Sequence, residues 1–389
     1  MKRVVVRFYA RNNLGDDLFV RMLADRYDAR FLIETREHNQ TFDQHPRIVQ
    51  RAPRPTVLER VRARVGRPAP ARAGVSVPTG ADLLVHIGGS IFIEHPGSLG
   101  YWRAERAFYR SLTVPYVILG ANFGPYLSAE YPHLIGSILR DARDVCFRDE
   151  ASRAAFPDVP GIRVEPDIVF GAAAGLAGTE GSGDAGPSGG TATSGGTATS
   201  DGTATSGGGV VVSVMDFAGT HGAAAGSAYE TYLVDLAREV ILTGQRVRFI
   251  SFCRFQGDEA VIDRIQDRLR GSIPEGSVDS YRYRGDLDEA LAVLRAADAV
   301  VGTRFHATVI ALAAGKPVLP ILYSDKTAAT LDLVGYEGPR VSLASIVQGR
   351  RVGADVGQWG HGDLTGVASR AQAQFAALDR LLPRADADA

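Results

Sequence analysis

The chain has 389 residues, 43 basic and 44 acidic, and 45% of it is hydrophobic. That length supports two domains with separate cores, and a net charge of −1 excludes the broad positive field that draws proteins to nucleic acid, so any anion site has to be local. Two distant cysteines, Cys146 and Cys253, exclude a disulfide scaffold or a cysteine metal site, and no run approaches the roughly 18 apolar residues of a membrane span, which points to a soluble cytoplasmic protein.

In chain order, the first half alternates β-like runs with helical patterns. Strands are predicted at Val4–Phe8, Ala29–Ile33, Leu83–Ile87, Tyr116–Leu119 and Asp144–Phe147, the βαβ rhythm of a parallel sheet. The loop Asn13-Leu14-Gly15-Asp16-Asp17 follows the first strand, and Gly88-Gly89-Ser90 follows the third. Both lie at strand carboxyl ends, where open α/β sheets bind ligands. Glycine there lets a ligand approach the backbone, and Asp16 reads either as a helix cap or as a partner for a sugar hydroxyl. Asp16 and Asp17 have no companion ligands at metal-binding spacing, so no metal is expected. Residues 46–74 carry eight arginines with several prolines. The segment reads as a solvated insertion loop; the alternative is a patch for anionic lipid headgroups at the inner face of a membrane, or for a diphosphate-linked substrate. Arg148 closes the strand Asp144–Phe147 and precedes a helix start, Asp149-Glu150-Ala151-Ser152; a surface Arg–carboxylate pair is the competing reading.

Between Gly178 and Gly209 the composition turns to Gly, Ser, Thr and Ala, with a hexad repeat from Ser188 to Thr205. Such a segment reads as a flexible linker. It divides the chain into a first domain of residues 1–177, a second of 210–365, and a C-terminal helix and tail of 366–389 that packs back on the first. Strands resume at Val210–Met215, Arg246–Ser251, Val278–Tyr283, Ala299–Val301 and Val318–Leu322. The fold class is α/β, two Rossmann-like domains facing across a cleft in the GT-B arrangement, with the site in the cleft.

The densest signal lies between Asp298 and Thr327. Gly302-Thr303 reads as a turn with Thr303 the N-cap of a helix over Arg304–Ala314, ended by Gly315 and Pro317. Arg304 and His306 then sit at a helix start beyond a strand end, where free N–H groups and the dipole favour anions. Lys2, Lys316 and Lys326 are the only lysines, so Lys326 in the loop after a strong strand reads as a position that wants a compact ammonium or a titratable amine.

Taken together, Asn13-Leu14-Gly15-Asp16-Asp17, Gly88-Gly89-Ser90, Gly120-Ala121-Asn122-Phe123-Gly124-Pro125, Arg148-Asp149-Glu150-Ala151-Ser152, Glu165-Pro166-Asp167 and the block from Arg304-x-His306 to Lys326 resemble the polysaccharide pyruvyl transferase family. The resemblance implies an enzyme that moves pyruvate from phosphoenolpyruvate onto two hydroxyls of a sugar, giving a cyclic ketal and phosphate, with no cofactor. It implies that Arg148 and Arg304 bind the donor's carboxylate and phosphate, that His306 does the acid–base work, and that Lys326 is a further donor-side or catalytic contact. For this chemistry His306 is expected to be the general acid, a histidine with a pKa near neutrality that protonates the methylene carbon of the donor. The acceptor, a glycan or lipid-linked glycan, would meet first-half loops around Asn13, Asp16, Gly89, Ser90 and Asn122. Ser90 departs from the family's pattern, where a third glycine is common. A nucleotide-sugar glycosyltransferase of the same architecture and a non-catalytic glycan- or anion-binding protein are the alternatives on the residues alone.

Overall fold

The structure is a computed structural model, and it describes residues 1–52, 77–177, 208–350 and 353–385. Most of the Arg-rich segment and nearly all of the Gly/Ser/Thr segment lie outside the described residues. The first sheet contains β1 (Lys2–Arg7), β2 (Ala29–Glu34), β3 (Ile48–Arg51), β4 (Leu83–Ile87), β5 (Tyr116–Ala121), β6 (Asp144–Phe147) and β7 (Arg163–Val164). The second contains β8 (Val210–Ser213), β9 (Val247–Ser251), β10 (Val278–Arg282), β11 (Ala299–Gly302), β12 (Val318–Leu322) and β13 (Val341–Ser342). Every predicted strand is present with ends shifted by at most two residues. The unpredicted β3, β7 and β13 are short edge strands; β3 shows that the start of the Arg-rich segment pairs with β2 and is not loop.

All pairings between these strands are parallel among the described residues. The strand runs explain this: β4 and β5 are buried along their whole length, the pattern of sheets covered by helices on both faces. Strand order is β3-β2-β1-β4-β5-β6-β7 in one sheet and β10-β9-β8-β11-β12-β13 in the other. The order therefore reverses between β1 and β4, and again between β8 and β11. Crevices open at such reversal points beyond the strand carboxyl ends. In this molecule the two crevices face each other.

The outer face of each sheet has its own apolar cluster, while the inner faces share one that runs through both halves. Helix Phe305–Ala313 supplies much of that shared core and packs on Ile168–Ala172 and Ala173–Ala177 of the first half. Polar ties hold the halves beside it. The Leu14 N–H donates to the Phe252 carbonyl at 3.0 Å, and the Thr41 hydroxyl donates to the Gly285 carbonyl at 2.9 Å. The halves are therefore in contact beside the cleft.

The C-terminal segment returns to the first half. Its expected single helix over Gly366–Leu382 is broken into Val367–Gln372, a 3₁₀ turn Ala373–Phe375 and Leu378–Leu381. In the tighter turn Gln374 points inward, fully buried, accepting from the Gly120 N–H at 3.1 Å and donating to the Glu165 carbonyl at 2.8 Å. No helix among the described residues is long and apolar enough to cross a membrane.

Candidate active site

The loop after β1 enters helix Leu14–Arg26 through Asn13, whose Oδ1 accepts from the N–H groups of Gly15 and Asp16 at 3.2 and 3.5 Å. The cap is Asn13 and not Asp16, which commits the Asn13 oxygen to its own helix. Asp16 is left to face the Gly88-Gly89 turn, with Oδ1 3.2 Å from where a Cβ on Gly88 would sit. Burial pushes its carboxyl up to about 7, with Arg148 opposing and Asp167 adding to the shift. Asp17 turns elsewhere and accepts from Asn39 Nδ2 and from the Tyr283 hydroxyl of the second half, both at 2.8 Å. The adjacent carboxyls thus diverge, and among the described residues no group of three or more His, Cys, Asp or Glu could hold a metal ion.

Arg148 leaves the end of β6 and donates to Asp167 Oδ2 at 2.8 Å and Asn122 Oδ1 at 2.9 Å. Asp167 is itself fixed as the cap of Ile168–Ala172, through the Val169 N–H at 3.0 Å. The pair is buried, with side-chain exposures of 6% and 1%, where the sequence allowed a surface pair. The guanidinium lies across Gly89, where an added Cβ would come within 2.6 Å of it. It also stacks on Phe305 of the second half, its central carbon 4.0 Å from the ring centroid.

His306 reaches the same place from the other side. Its Nδ1 packs against Gly15, and its Nε2 lies 3.9 Å from Asp167 Oδ2, with no hydrogen-bond partner among the described residues. The glycines expected to admit a ligand to the backbone instead admit two side chains: Arg148 over Gly89 and His306 over Gly15. Burial brings the His306 pKa down to about 4, with Asp167 opposing and Arg148 reinforcing. In this arrangement it is a neutral imidazole, where a value near neutrality was expected, because the second half buries it against the first.

Lys326, in the first turn of helix Asp325–Leu333, crosses the cleft to the Gly124 carbonyl at 3.2 Å and the Ser90 hydroxyl at 3.3 Å. Burial lowers its pKa to about 8, helped by Arg148. It stays charged at neutral pH while remaining titratable just above it.

Arg304 has different surroundings. It is the N-cap residue of helix Phe305–Ala313, in place of the expected Thr303, and its side chain does not cap. Thr303 and Arg304 instead give their N–H groups to Ser213 Oγ, at 2.9 and 3.2 Å, and the Thr303 hydroxyl accepts from Tyr229. The Arg304 guanidinium turns into its own half. It pairs with Asp258, contacts Gln256, and donates from Nε to the Val214 carbonyl at 3.3 Å. Asp258 also accepts from the N–H groups of Phe252 and Cys253, at 2.9 and 3.0 Å. This closed set holds the loops after β8 and β9 together. Arg304 and His306, expected to share one anion site, point to different neighbours.

The structure therefore brings Asp16, Gly89, Ser90, Asn122, Arg148, His306 and Lys326 together, and leaves out the Arg304 guanidinium and the Asn13 side chain. Asp167 and Phe305 join the cluster without having been singled out as site residues. Asp167 stood in the Glu165-Pro166-Asp167 motif; nothing in the sequence marked Phe305 as a stacking partner for Arg148.

The sequence model of one family, polysaccharide pyruvyl transferase, matches residues 13–325. No curated protein sequence matches the chain. Among solved structures, a putative UDP-N-acetylglucosamine 2-epimerase from Listeria monocytogenes is similar at a TM-score of 0.52 and 12% identity, covering 98% of this chain and 96% of that one. UDP-GlcNAc 2-epimerase from Methanocaldococcus jannaschii is similar at a TM-score of 0.51 and 10% identity, covering 98% of this chain and 100% of that one. At such identities the likeness shows the shared two-domain architecture alone.

Proposed function

The chain belongs to the polysaccharide pyruvyl transferase family, and we propose that it transfers pyruvate from phosphoenolpyruvate to two hydroxyls of a sugar in a cell-surface polysaccharide or its precursor. The products are a cyclic ketal and phosphate. One observation carries the reading: Arg148 and Lys326, from opposite halves, converge on the part of the cleft where Asp16 and His306 are buried.

The donor has a carboxylate and a phosphate, so it needs two fixed cations from different directions. Arginine's planar fork suits either group, and a lysine ammonium serves as a point charge for the other. Arg148 fits the first role because Asp167 and Asn122 fix the plane of its guanidinium. The Arg304 guanidinium is turned away from the cleft into its own half, and its part in this reading is to hold the β8 and β9 loops.

Ketal formation needs a proton on the methylene carbon of the donor and removal of two hydroxyl protons. In the proposed sequence Asp16 gives its proton to the methylene carbon while the first sugar oxygen bonds the neighbouring carbon and its proton passes to His306. The carbon–oxygen bond to phosphate then breaks, His306 returning its proton to the departing phosphate. The second hydroxyl closes the ring and reprotonates Asp16. His306 thus enters as the base and not as the expected general acid, because burial holds its imidazole neutral. Each proton transfer is worth of order 10²–10⁴ in rate.

The test is incubation of the purified protein with phosphoenolpyruvate and a panel of glycans, followed by phosphate release and mass spectrometry of the sugar. A pyruvate ketal on the glycan, in proportion to phosphate, is the expected result. Glycosyl transfer from a nucleotide sugar with no ketal would contradict it.

A further inference from the structure

At the lip of the cleft, beside the Lys326 contact, the loop after β5 holds an aromatic ring out in solvent. Tyr126 is 51% exposed and Leu127, next to it, 66%. The loop under them is fixed from several sides. The Gly124 N–H donates to the Phe92 carbonyl at 2.8 Å, and the Glu94 N–H donates to the Pro125 carbonyl at 3.0 Å. The Glu94 carboxylate, itself buried, accepts from the N–H groups of Leu127 and Ser128 at 2.6 and 2.8 Å and from the Ser128 hydroxyl at 2.7 Å. The Phe123 N–H donates to the Ser152 hydroxyl at 2.7 Å.

The ring itself is seated on others. Tyr126 lies 5.3 Å from Phe123 and 6.5 Å from Tyr131, at interplanar angles of 33° and 23°, and those two stack on each other at 5.7 Å. Its Cδ1 is 4.0 Å from where a Cβ on Gly124 would sit, and the Gly124 carbonyl is the one that holds Lys326 Nζ at 3.2 Å. The exposed ring is therefore adjacent to the cation cluster and preorganised, so a ligand would lose little conformational freedom of the protein on binding.

We propose that Tyr126 is a stacking platform for a pyranose ring of the acceptor glycan, an inference that rests on the transferase reading. The C–H face of a pyranose offers a flat apolar surface of matching size, while its rim hydroxyls stay free for the polar groups of the cleft. One ring with one leucine is far smaller than the roughly 800 Å² per partner of a stable protein interface. That size, and the position beside Lys326, select a sugar.

The experiment is acceptor and donor kinetics on the full chain, with direct glycan binding by saturation-transfer NMR in the absence of donor. Tyr126→Ala should raise the acceptor KM about tenfold, with the larger change in acceptor KM and not in donor KM. Tyr126→Phe, which keeps the ring, should retain wild-type acceptor KM. Leu242→Ser, at an exposed residue of helix Ala223–Leu242, is the surface control and should change neither. An unchanged acceptor KM in Tyr126→Ala overturns the proposal. So does a loss confined to phosphatidylglycerol vesicle binding, or to self-association by sedimentation, since either would assign the ring to a membrane or to a second copy. If no ketal forms with any glycan the transferase reading fails by itself, whereas saturation transfer to glycan ring protons that is lost in Tyr126→Ala still supports the platform.

Discussion

Arg148 and Arg304 stand within two residues of a strand's carboxyl end, one in each half, and each is bound to a buried carboxylate. Arg148 with Asp167 lies across Gly89 and under Phe305, where the halves meet, next to Lys326 and His306. Arg304 with Asp258 is enclosed in the second half by Gln256 and the Val214 carbonyl. The difference teaches that a strand end gives a basic residue its address, while the position of its carboxylate decides where it points. Asp167 caps a turn beside the cleft, whereas Asp258 starts a helix behind it. One arginine faces the cleft and the other holds the frame.

That contrast can be broken at several points. The largest effect is expected from Arg304→Met, which leaves Asp258 buried without its countercharge: a stability loss of about 3–5 kcal/mol, read by urea unfolding. A loss within error would show that this pair does not hold the second half.

The pH profile sharpens the Arg148 side, because kcat/KM reports the free protein. The proposed steps start from a protonated Asp16 and a neutral His306, so after correction for the donor's own ionisation activity should fall below about 4 and again above about 7, roughly tenfold per pH unit. Lys326, lowered to about 8, adds a second alkaline loss. Asp16→Asn should be slow and should lack the limb near 7, keeping the one near 8. A profile in Asp16→Asn identical in shape to wild type would remove Asp16 from the proton path.

A smaller effect is expected at Gln374, which reaches from the C-terminal segment, beyond the family match, to the backbone just before each of Arg148's two partners. It ties Gly120, two residues before Asn122, to Glu165, two before Asp167. Gln374→Met keeps the volume and removes the bonds, at an expected cost of about 1–3 kcal/mol in thermal unfolding and a loss in kcat/KM for the donor. Unchanged kinetics would confine Gln374 to folding.

The sequence carried much of this. Hydrophobic runs bounded by glycine loops located the principal strands, and the residues at their carboxyl ends included Arg148, His306 and Lys326. What it did not carry depends on contacts distant in sequence. The carboxylate that turns Arg304 inward is 46 residues away, and the one that orients Arg148 is 19 residues away. The depressed pKa of His306 exists because Gly15 and Phe19 of the other half cover it. Thr303 looked like an N-cap by residue type, but Ser213 on the neighbouring strand takes the turn's N–H groups first.

The contrast between the two arginines is tested most directly by calorimetric titration of phosphoenolpyruvate into the wild-type protein, Arg148→Lys and Arg304→Lys, each shown to be folded. Arg148→Lys should weaken donor binding about 100-fold, since an ammonium cannot replace the held fork, and Arg304→Lys should bind within about threefold of wild type. Donor binding lost in Arg304→Lys and retained in Arg148→Lys would contradict the account.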